Sequence, residues 1–196
     1  ELQQPGLIDA KRMMIRNRQG LNERYAPLIA LWWPQISGGQ SPALNFVGQG
    51  SQPVAIWRSS WHDPNAFYFA IKGGGASHNH AHMDAGSFVL DLDGIRWAKD
   101  LGMQDYNSLE SRGIDLWNMK QNSARWQVFR LGNAGHNTLS MDKGLHNALG
   151  MATLQMQGDD TVMLDLTPVF LPGQLKQARR TARIEGQSVT LSDSVT

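Results

Sequence analysis

Residues 87–100 read SFVLDLDGIRWAKD, two strand-like runs on either side of Asp93-Gly94. An Asp-Gly dipeptide between such runs is typical of a two-residue β-hairpin turn, because both central residues of that turn need a positive φ. Counting outward from the turn predicts these cross-strand pairs: Leu92 with Ile95, Asp91 with Arg96, Leu90 with Trp97, and Ser87 with Asp100. An ion pair and an apolar pair would support the hairpin, and Asp100 would lie at its open end.

Further strand-like runs on both sides of the hairpin predict a mainly β fold. They are short and rich in β-branched and aromatic residues. The predicted strands are Val54–Trp57, Ala66–Lys72, His136–Met141, Thr161–Leu166, Gln177–Ile184 and Ser188–Val195. Leu7–Trp33 instead reads as helical, and Pro34 ends it because proline cannot continue a helix. The expected fold class is an antiparallel β-sandwich with a short N-terminal helical segment.

A change in composition near residue 37 indicates a boundary between these parts. Residues 37–53 read SGGQSPALNFVGQGSQP, rich in Gly, Ser, Gln and Pro, which favours a linker. The expected organisation is a helical lead-in over residues 1–36, a linker over 37–53 and a sandwich over 54–196. Because the strand pattern continues up to Thr196, we expect the sandwich to be incomplete at its C-terminal side.

Composition narrows the function classes. The chain has 196 residues, enough for one domain or somewhat more, and 18 Lys and Arg against 17 Asp and Glu give a net charge of +1. That balance argues against a nucleic-acid binder, which usually has a strongly basic face. The absence of Cys excludes disulfides, thiolate metal sites and a Cys nucleophile. No apolar run approaches the roughly 20 residues of a membrane helix, and the residues from Glu1 onward do not have the cationic, apolar pattern of a signal peptide.

A cluster of histidines follows three consecutive glycines. In a strand, His78, His80 and His82 would share one face, since side chains alternate with a period of two. Three neutral imidazoles on one face suit a metal such as zinc. The alternative is a polar, Gly-rich turn with incidental histidines. The hairpin would bring Asp100 beside this cluster, and His136 opens another predicted strand, so both are candidate ligands.

A series of motifs follows one another along the sequence from about Trp57 to Leu139. They are Arg58–Trp61, Phe67–Phe69, Asn79–Asp91, Gly94–Gly102, Phe129-Arg130 and Gly135–Leu139. This series resembles the sheet domain of heparinase II/III-like polysaccharide lyases. The resemblance implies an N-terminal (α/α) toroid, of which Leu7–Trp33 would be the last helices, joined to an antiparallel β-sandwich. It also implies that the toroid carries catalytic Asn, His and Tyr side chains, so the chain alone is expected to be inactive.

The activity that the resemblance implies is cleavage of a uronic-acid-containing polysaccharide by β-elimination. The C5 carbon of a uronic acid is a poor carbon acid, so a donor or cation near its carboxylate must stabilise the enolate-like charge. A Tyr or His then removes the C5 proton, and an acid protonates the leaving O4. The implied partner is an acidic polysaccharide or oligosaccharide, not a nucleic acid or a membrane. The implied location is the bacterial periplasm or the secreted fraction.

The resemblance also implies roles for single residues. His80 corresponds to the active-site histidine of the sheet domain, and His82, Asp100 and His136 correspond to ligands of a divalent metal, expected to be zinc. Tyr106 is a second candidate catalytic residue, although a loop tyrosine that covers the sandwich edge explains it equally well.

Substrate-binding candidates complete the predicted site. Asn79, Arg58 and Arg130 are expected to bind substrate, and Arg112 is a further candidate, because guanidinium groups bind carboxylates and sulfates in bidentate fashion. Each arginine could equally pair with a local acid. His78 departs from the family pattern, and its role is left open.

Two alternatives to a lyase follow from the same residues. A zinc hydrolase needs an open coordination position and a general base, for which Asp84 is the candidate. A non-catalytic sugar-binding or structural sandwich needs the metal only as a staple. Outside the cluster, His146 lies in a predicted loop and is expected to face solvent.

Overall fold

Two antiparallel sheets of five strands each pack against one another in the computed structural model, which describes residue 24, residues 26–31 and residues 41–196. The strands are β1 Asn45–Gly48, β2 Val54–Arg58, β3 Tyr68–Lys72, β4 Gly74–Gly75, β5 Phe88–Leu92, β6 Ile95–Ala98, β7 Met151–Met156, β8 Thr161–Asp165, β9 Ala178–Glu185 and β10 Ser188–Val195. One sheet has the order β1-β2-β3-β5-β6 and the other β10-β9-β8-β7-β4. This confirms the mainly β, antiparallel sandwich.

Helices are short in the described ranges. They are α1 Ala26–Leu31 and α2 Tyr106–Glu110, with 3₁₀ turns at Ala124–Gln127, Asn133–Gly135 and Thr167–Val169. None of these elements has the length and apolar character of a membrane-spanning helix. Apart from residue 24 and α1, the helical lead-in expected over residues 1–36 lies outside the described residues, so its boundaries stay a prediction.

The core lies between the two sheets and follows the period-two alternation of the strands. Side chains of one face are buried in each central strand while their neighbours are partly exposed. Buried contributors from the strands include Trp57, Phe69, Ile71, Val162, Leu164 and Ile184. The indole N–H of Trp57 also donates to the carbonyl of Asp159, at 3.0 Å, which links the two sheets.

The Asp93-Gly94 hairpin forms as predicted near its turn. Both turn residues have positive φ, 54° and 72°, and the guanidinium of Arg96 binds the carboxylate of Asp91 through two hydrogen bonds of 2.6 and 2.7 Å. Further out the predicted register is wrong, because a bulge between Leu90 and Asp91 pairs Leu90 with Ala98. Trp97 therefore does not pack on Leu90, and its side chain is 66% exposed.

Three other differences concern strand positions. The predicted strand His136–Met141 is not formed, because the chain there leaves a 3₁₀ turn and bonds to side chains and loops instead of to a neighbouring strand. Strand β1 lies inside the segment 37–53 that was interpreted as a linker, and it pairs with β2. Strand β7 was not predicted, since its Met, Ala and Gln residues carry a weak β signal.

Candidate functional site

The histidine cluster lies in a loop of turns between β4 and β5. The prediction that His78, His80 and His82 share one face of a strand is therefore wrong. The loop turns back on itself at His78, whose carbonyl accepts from the amide of Ala81 at 3.0 Å. His80 has a φ of 63°, a left-handed conformation that is uncommon for residues other than Gly, although His adopts it more often than most. The three imidazoles consequently point to different surroundings.

A buried arginine fixes this loop from below. Arg125 is 0% exposed, and its Nη2 donates to the carbonyl of Ala81 at 2.7 Å while its Nη1 donates to the carbonyl of Leu116 at 2.8 Å. The loop is also held by Met83, which is buried and whose amide donates to the carbonyl of Leu131. His80 and His82 thus project from a backbone that is bonded to two distant segments.

An exposed aromatic cluster surrounds His80. Its imidazole is stacked on the phenol ring of Tyr106, with centroids 5.8 Å apart and an interplanar angle of 12°. Trp117 meets His80 edge to face at 5.4 Å and Tyr106 at 5.6 Å. Tyr106 begins α2, whose preceding Asp105 caps the helix by accepting from the amide of Ser108 at 2.7 Å. The structure therefore brings together His80 and Tyr106, the predicted catalytic residues.

His82, Asp100 and His136 lie side by side on the other flank of the loop. The Nδ1–H of His136 donates to Oδ2 of Asp100 at 2.6 Å, and the rings of His82 and His136 are 5.3 Å apart. The side chain of His136 is fully buried, and its Nε2 has no hydrogen-bond partner in the described part of the chain. A carboxylate that orients an imidazole while leaving the other nitrogen unpaired is an arrangement common in metal sites.

The charges of this cluster are shifted by their neighbours. The hydrogen bond from His136 lowers the pKa of Asp100 to about 2, assisted by the amide of Gly102 and opposed by partial burial. Burial lowers the pKa of His82, and the nearby carboxylate of Asp84 opposes that shift. Asp100 is therefore ionised and His82 is held toward its neutral form at neutral pH, the protonation states that metal ligands need.

The donor types fit a divalent metal, but their present placement does not complete a ligand set. Within the described ranges, no group of three or more His, Asp or Glu side chains is arranged to hold a metal ion. Asp100 and His136 bond to each other, so a metal would have to replace that hydrogen bond. Metal ligation by these three residues stays a prediction.

A groove of about 230 Å³ opens beside the loop. It is lined by Gln52, Lys72, His78, Asn79, His80, Ala81, His82 and Asp84. The Nζ of Lys72 and Oδ1 of Asp84 form an ion pair of 2.5 Å at its base. Asn79 and His80 are exposed at its rim. This groove gathers one side of the predicted site into a single concave surface.

The predicted arginines lie in different places. Arg58 pairs in register with Tyr68, whereas Lys72 pairs with Val54, so Arg58 is about 13 Å along the strand from the groove, at a rise of about 3.3 Å per residue. There it stacks over the ring of Trp61 at 3.8 Å. Arg130 donates to the carbonyls of Leu101 and Met103, and so supports the loop that carries Asp100 and Tyr106.

His146 was expected to face solvent, but the structure shows it buried. It is 3% exposed, stacks edge to face on Phe170 and bonds through Nε2 to the carbonyl of Leu139 at 2.7 Å. Burial lowers its pKa. A loop position with polar neighbours in sequence gave no sign of this, since the residues that cover His146 come from other segments.

Three residues near the site were missed by sequence reasoning. Trp117 and Arg125 are described above. Arg180 points inward from β9, where its guanidinium binds Asp193 through two bonds and donates from Nη1 to the carbonyls of Gly86 and Asn137. For Arg180 the sequence did offer a signal. Every second residue of β9 faces the core, and Arg180 is the charged member of that otherwise apolar set, which is Ala178, Arg180, Ala182 and Ile184.

Comparison with known proteins identifies the family. The family model described as heparinase II/III-like, C-terminal, matches residues 54–191. The chain belongs to this family. The match covers β2 to the first half of β10 and includes the histidine loop, Asp100, Tyr106 and His136. Comparison with proteins of curated function finds no significant match.

Solved structures show the same fold. The chain is similar to a heparinase III crystal structure with a TM-score of 0.61 at 14% identity, over 90% of this chain and 28% of that one. It is also similar to a heparinase III gene product, with a TM-score of 0.60 at 17% identity over 95% of this chain and 28% of that chain. A heparan sulfate lyase HepC mutant from Pedobacter heparinus gives a TM-score of 0.56 at 16% identity, over 95% and 27%. The chain spans only about 28% of the length of these structures.

Proposed function

We propose that this chain is the β-sandwich part of a polysaccharide lyase that cleaves a uronic-acid-containing acidic polysaccharide by β-elimination, giving an unsaturated product. Membership of the heparinase II/III-like family supports the proposal. So do the similar structures, which are heparinase III and a heparan sulfate lyase. Because the chain spans about 28% of those structures, the activity is proposed for a protein that also contains an N-terminal toroid, acting in the periplasm or after secretion.

The observation that carries the proposal is the conformation of His80. Its exposed ring stands at the rim of the groove, stacked on Tyr106, and its backbone adopts a left-handed φ of 63°. A residue other than Gly in this conformation costs free energy, and such residues cluster at functional sites where the surroundings hold them. Here the bond from Arg125 to the adjacent carbonyl of Ala81 supplies that support.

The chemistry follows from the side chains around the groove. His80 hydrogen-bonds the uronate carboxylate and stabilises charge that develops as the C5 proton leaves. We assign proton transfer at the same sugar to Tyr106, which is in ring contact with His80. Asn79 lies beside His80 and contributes donors to the sugar. Arg125 directs its bonds to carbonyls rather than to a carboxylate, so its positive charge favours an anion nearby.

We also propose that His82, Asp100 and His136 bind one divalent metal, with zinc as the candidate. The support is the contact between Asp100 and His136, the ionised carboxylate of Asp100, and the ring of His82, whose centroid is 5.3 Å from that of His136. When bound, the metal would link the histidine loop, the segment after β6 and the segment after the 3₁₀ turn Asn133–Gly135. The elimination is assigned to His80 and Tyr106, on the other flank of the loop, together with residues of the toroid.

A specific contact weakens the hydrolase alternative. The general base of a zinc hydrolase would be Asp84, but its carboxylate is ion-paired with Lys72 at 2.5 Å. In this ion pair Oδ1 of Asp84 contacts an ammonium group rather than a water molecule that it could deprotonate. The non-catalytic alternative, a sugar-binding or structural sandwich, becomes an outcome of the experiment that follows.

The test compares His80→Ala with His82→Ala in the full-length protein. Three quantities are measured for each protein. They are the ultraviolet absorbance of unsaturated product formed from heparan sulfate, chondroitin sulfate or alginate, the amount of bound zinc, and the melting temperature. His80→Ala is expected to lower turnover by roughly 10²-fold, the usual scale for one acid–base or electrostatic group, with unchanged zinc and stability. His82→Ala is expected to lose zinc, stability and activity together, since metal binding is coupled to folding.

His62→Ala is the matched control, because His62 is an exposed histidine whose contact is with Ser41. It should leave all three readouts unchanged. Full activity in His80→Ala, or loss of zinc in that variant, contradicts the division of roles. Binding of the polysaccharides without any product in the wild-type protein favours the non-catalytic alternative.

A further inference from the structure

An exposed tryptophan is anchored at the edge of the proposed site. The side chain of Trp117 is 53% exposed, yet its Nε1–H donates to Oε1 of Glu110, in α2, at 2.9 Å. About half of this side chain is accessible to solvent, and the hydrogen bond at the edge of the indole restricts its rotation. Neither the family resemblance nor the sequence pattern had given Trp117 a role.

The geometry makes Trp117 one wall of a corner. Its ring is nearly perpendicular to those of His80 and Tyr106, at interplanar angles of 87° and 86° and centroid distances of 5.4 and 5.6 Å. His80 and Tyr106 are nearly parallel to each other. A ligand that reaches His80 therefore passes within one ring diameter of the indole.

The corner is rigid at its base. Leu116, next to Trp117, is 0% exposed and packs with Leu109 and Leu131. Its carbonyl accepts from Nη1 of Arg125, the same guanidinium that bonds to Ala81 beside His80. One buried side chain thus sets the distance between His80 and Trp117. A preformed surface of this kind binds a ligand at a low entropic cost.

From these observations we propose that Trp117 is a stacking subsite for a pyranose ring adjacent to the sugar that His80 faces, an inference that rests on the proposed function. The C–H face of a pyranose is apolar and carries partial positive charge, which suits the electron-rich face of an indole. The same face disfavours a carboxylate, so the uronate group turns away from Trp117 toward the groove. Trp117 then acts on affinity and register rather than on the chemical step.

The experiment compares Trp117→Ala and Trp117→Phe with Trp97→Ala in the full-length protein. Trp97 is the matched control because it is an exposed tryptophan, 66% accessible, on the edge strand β6, with its Nε1 bonded to the carbonyl of Leu92. The probes are hexasaccharides of heparan sulfate, chondroitin sulfate and alginate, and the same hexasaccharides with reduced carboxyl groups. The reduced forms cannot undergo elimination, so calorimetry measures their binding without turnover.

Trp117→Ala should raise both the KM for the cleaved hexasaccharide and the Kd for its reduced form by about tenfold, as for loss of one aromatic contact residue. Its kcat should stay within about twofold of the wild type, since uniform binding is lost. Trp117→Phe keeps an aromatic ring but loses the Nε1–H, so its KM and Kd should lie between those of the wild type and Trp117→Ala. The KM and Kd of Trp97→Ala should match those of the wild type.

Unchanged KM and Kd in Trp117→Ala overturn the subsite while leaving the lyase intact. A fall in melting temperature with unchanged affinity in both Trp117 variants has the same consequence, because it makes the indole a structural cover. An equal loss of affinity in Trp97→Ala also overturns it. If the wild-type protein neither binds nor cleaves any of the probes, the proposed function fails and the subsite with it.

Discussion

His80 and His82 have different surroundings in the structure although they are two positions apart in the sequence. His80 is exposed in an aromatic corner, and His82, two positions later, is partly buried against His136. The left-handed φ of His80 reverses the direction of the loop between them. Equivalent spacing in sequence therefore does not produce equivalent surroundings.

His146 illustrates how burial of one imidazole couples stability to pH. Its Nε2 bonds to the carbonyl of Leu139, and its Nδ1 is buried without a partner in the described part of the chain. The neutral ring satisfies one nitrogen, whereas a second proton would be buried unpaired. This is why the folded chain lowers the pKa of His146 below its ordinary value of 6.5.

The sign of the pH effect follows from that shift. Below about pH 6.5 the unfolded chain takes up a proton at His146 that the folded chain does not, so the free energy of unfolding falls as the pH falls, by at most about 1.4 kcal/mol per pH unit. His146→Gln keeps an N–H donor for Leu139 and removes this proton. Urea unfolding between about pH 5 and pH 7.5 should therefore give a shallower pH dependence in the variant.

His82 adds a slope of the same sign, because burial lowers its pKa too. For this reason the difference between the wild type and His146→Gln is the relevant quantity. Parallel stability curves for the two proteins contradict the burial argument.

At the scale of elements, the site is built by loops that buried arginines join together. Arg125, in a 3₁₀ turn, bonds the histidine loop to the segment that carries Trp117. Arg180, in β9, bonds the end of the histidine loop at Gly86 to Asn137. The sandwich thus provides a rigid base, and the two guanidinium groups connect its loops at one end.

Replacing Arg125 should separate these loops. Arg125→Met leaves the carbonyls of Ala81 and Leu116 without their donors, which is expected to lower the free energy of unfolding by about 2 kcal/mol. Hydrogen exchange should show that the loss of protection is confined to residues near 81–83 and 114–117. Arg112→Met is the control, since Arg112 is exposed, and it should change stability by less than about 0.5 kcal/mol. Equal effects of the two substitutions contradict the bridging role.

Local signals in the sequence account for the parts of the fold that were predicted. The Asp93-Gly94 turn determined the pairing of Leu92 with Ile95 and of Asp91 with Arg96. The bulge at Leu90 gave no such signal, because an extra residue depends on how the strand packs and not on the turn. The same limit applies to the histidine loop, where period two suggested a strand and the glycines before it allowed turns.

Some contacts of the candidate site could be predicted from the sequence and others could not. The proximity of Asp100 to the histidine loop could be predicted by counting along the hairpin, and the family resemblance grouped Asp100 with His82 and His136 as metal ligands. The bonds of Arg125 and Arg180 join residues 44 and 94 positions apart in the chain. Contacts between residues so far apart in the chain leave no local pattern, so a single sequence cannot indicate them.

At the scale of the whole molecule, the proposed function is cleavage of a glycosidic bond by elimination and not by hydrolysis. The sandwich presents His80, Tyr106 and Trp117 together on one surface. Elimination adds no water to the products, whereas hydrolysis adds one molecule for each bond cleaved.

The most direct measurement is the mass of the products formed by the full-length protein from a uronic-acid oligosaccharide in water enriched in heavy oxygen. The proposed elimination predicts an unsaturated uronate end, a summed product mass equal to that of the substrate, and no heavy oxygen beyond the slow exchange at reducing ends that the same oligosaccharides show without enzyme. Fragments that together weigh one water more than the substrate and carry the heavy oxygen would show a hydrolase and contradict the account.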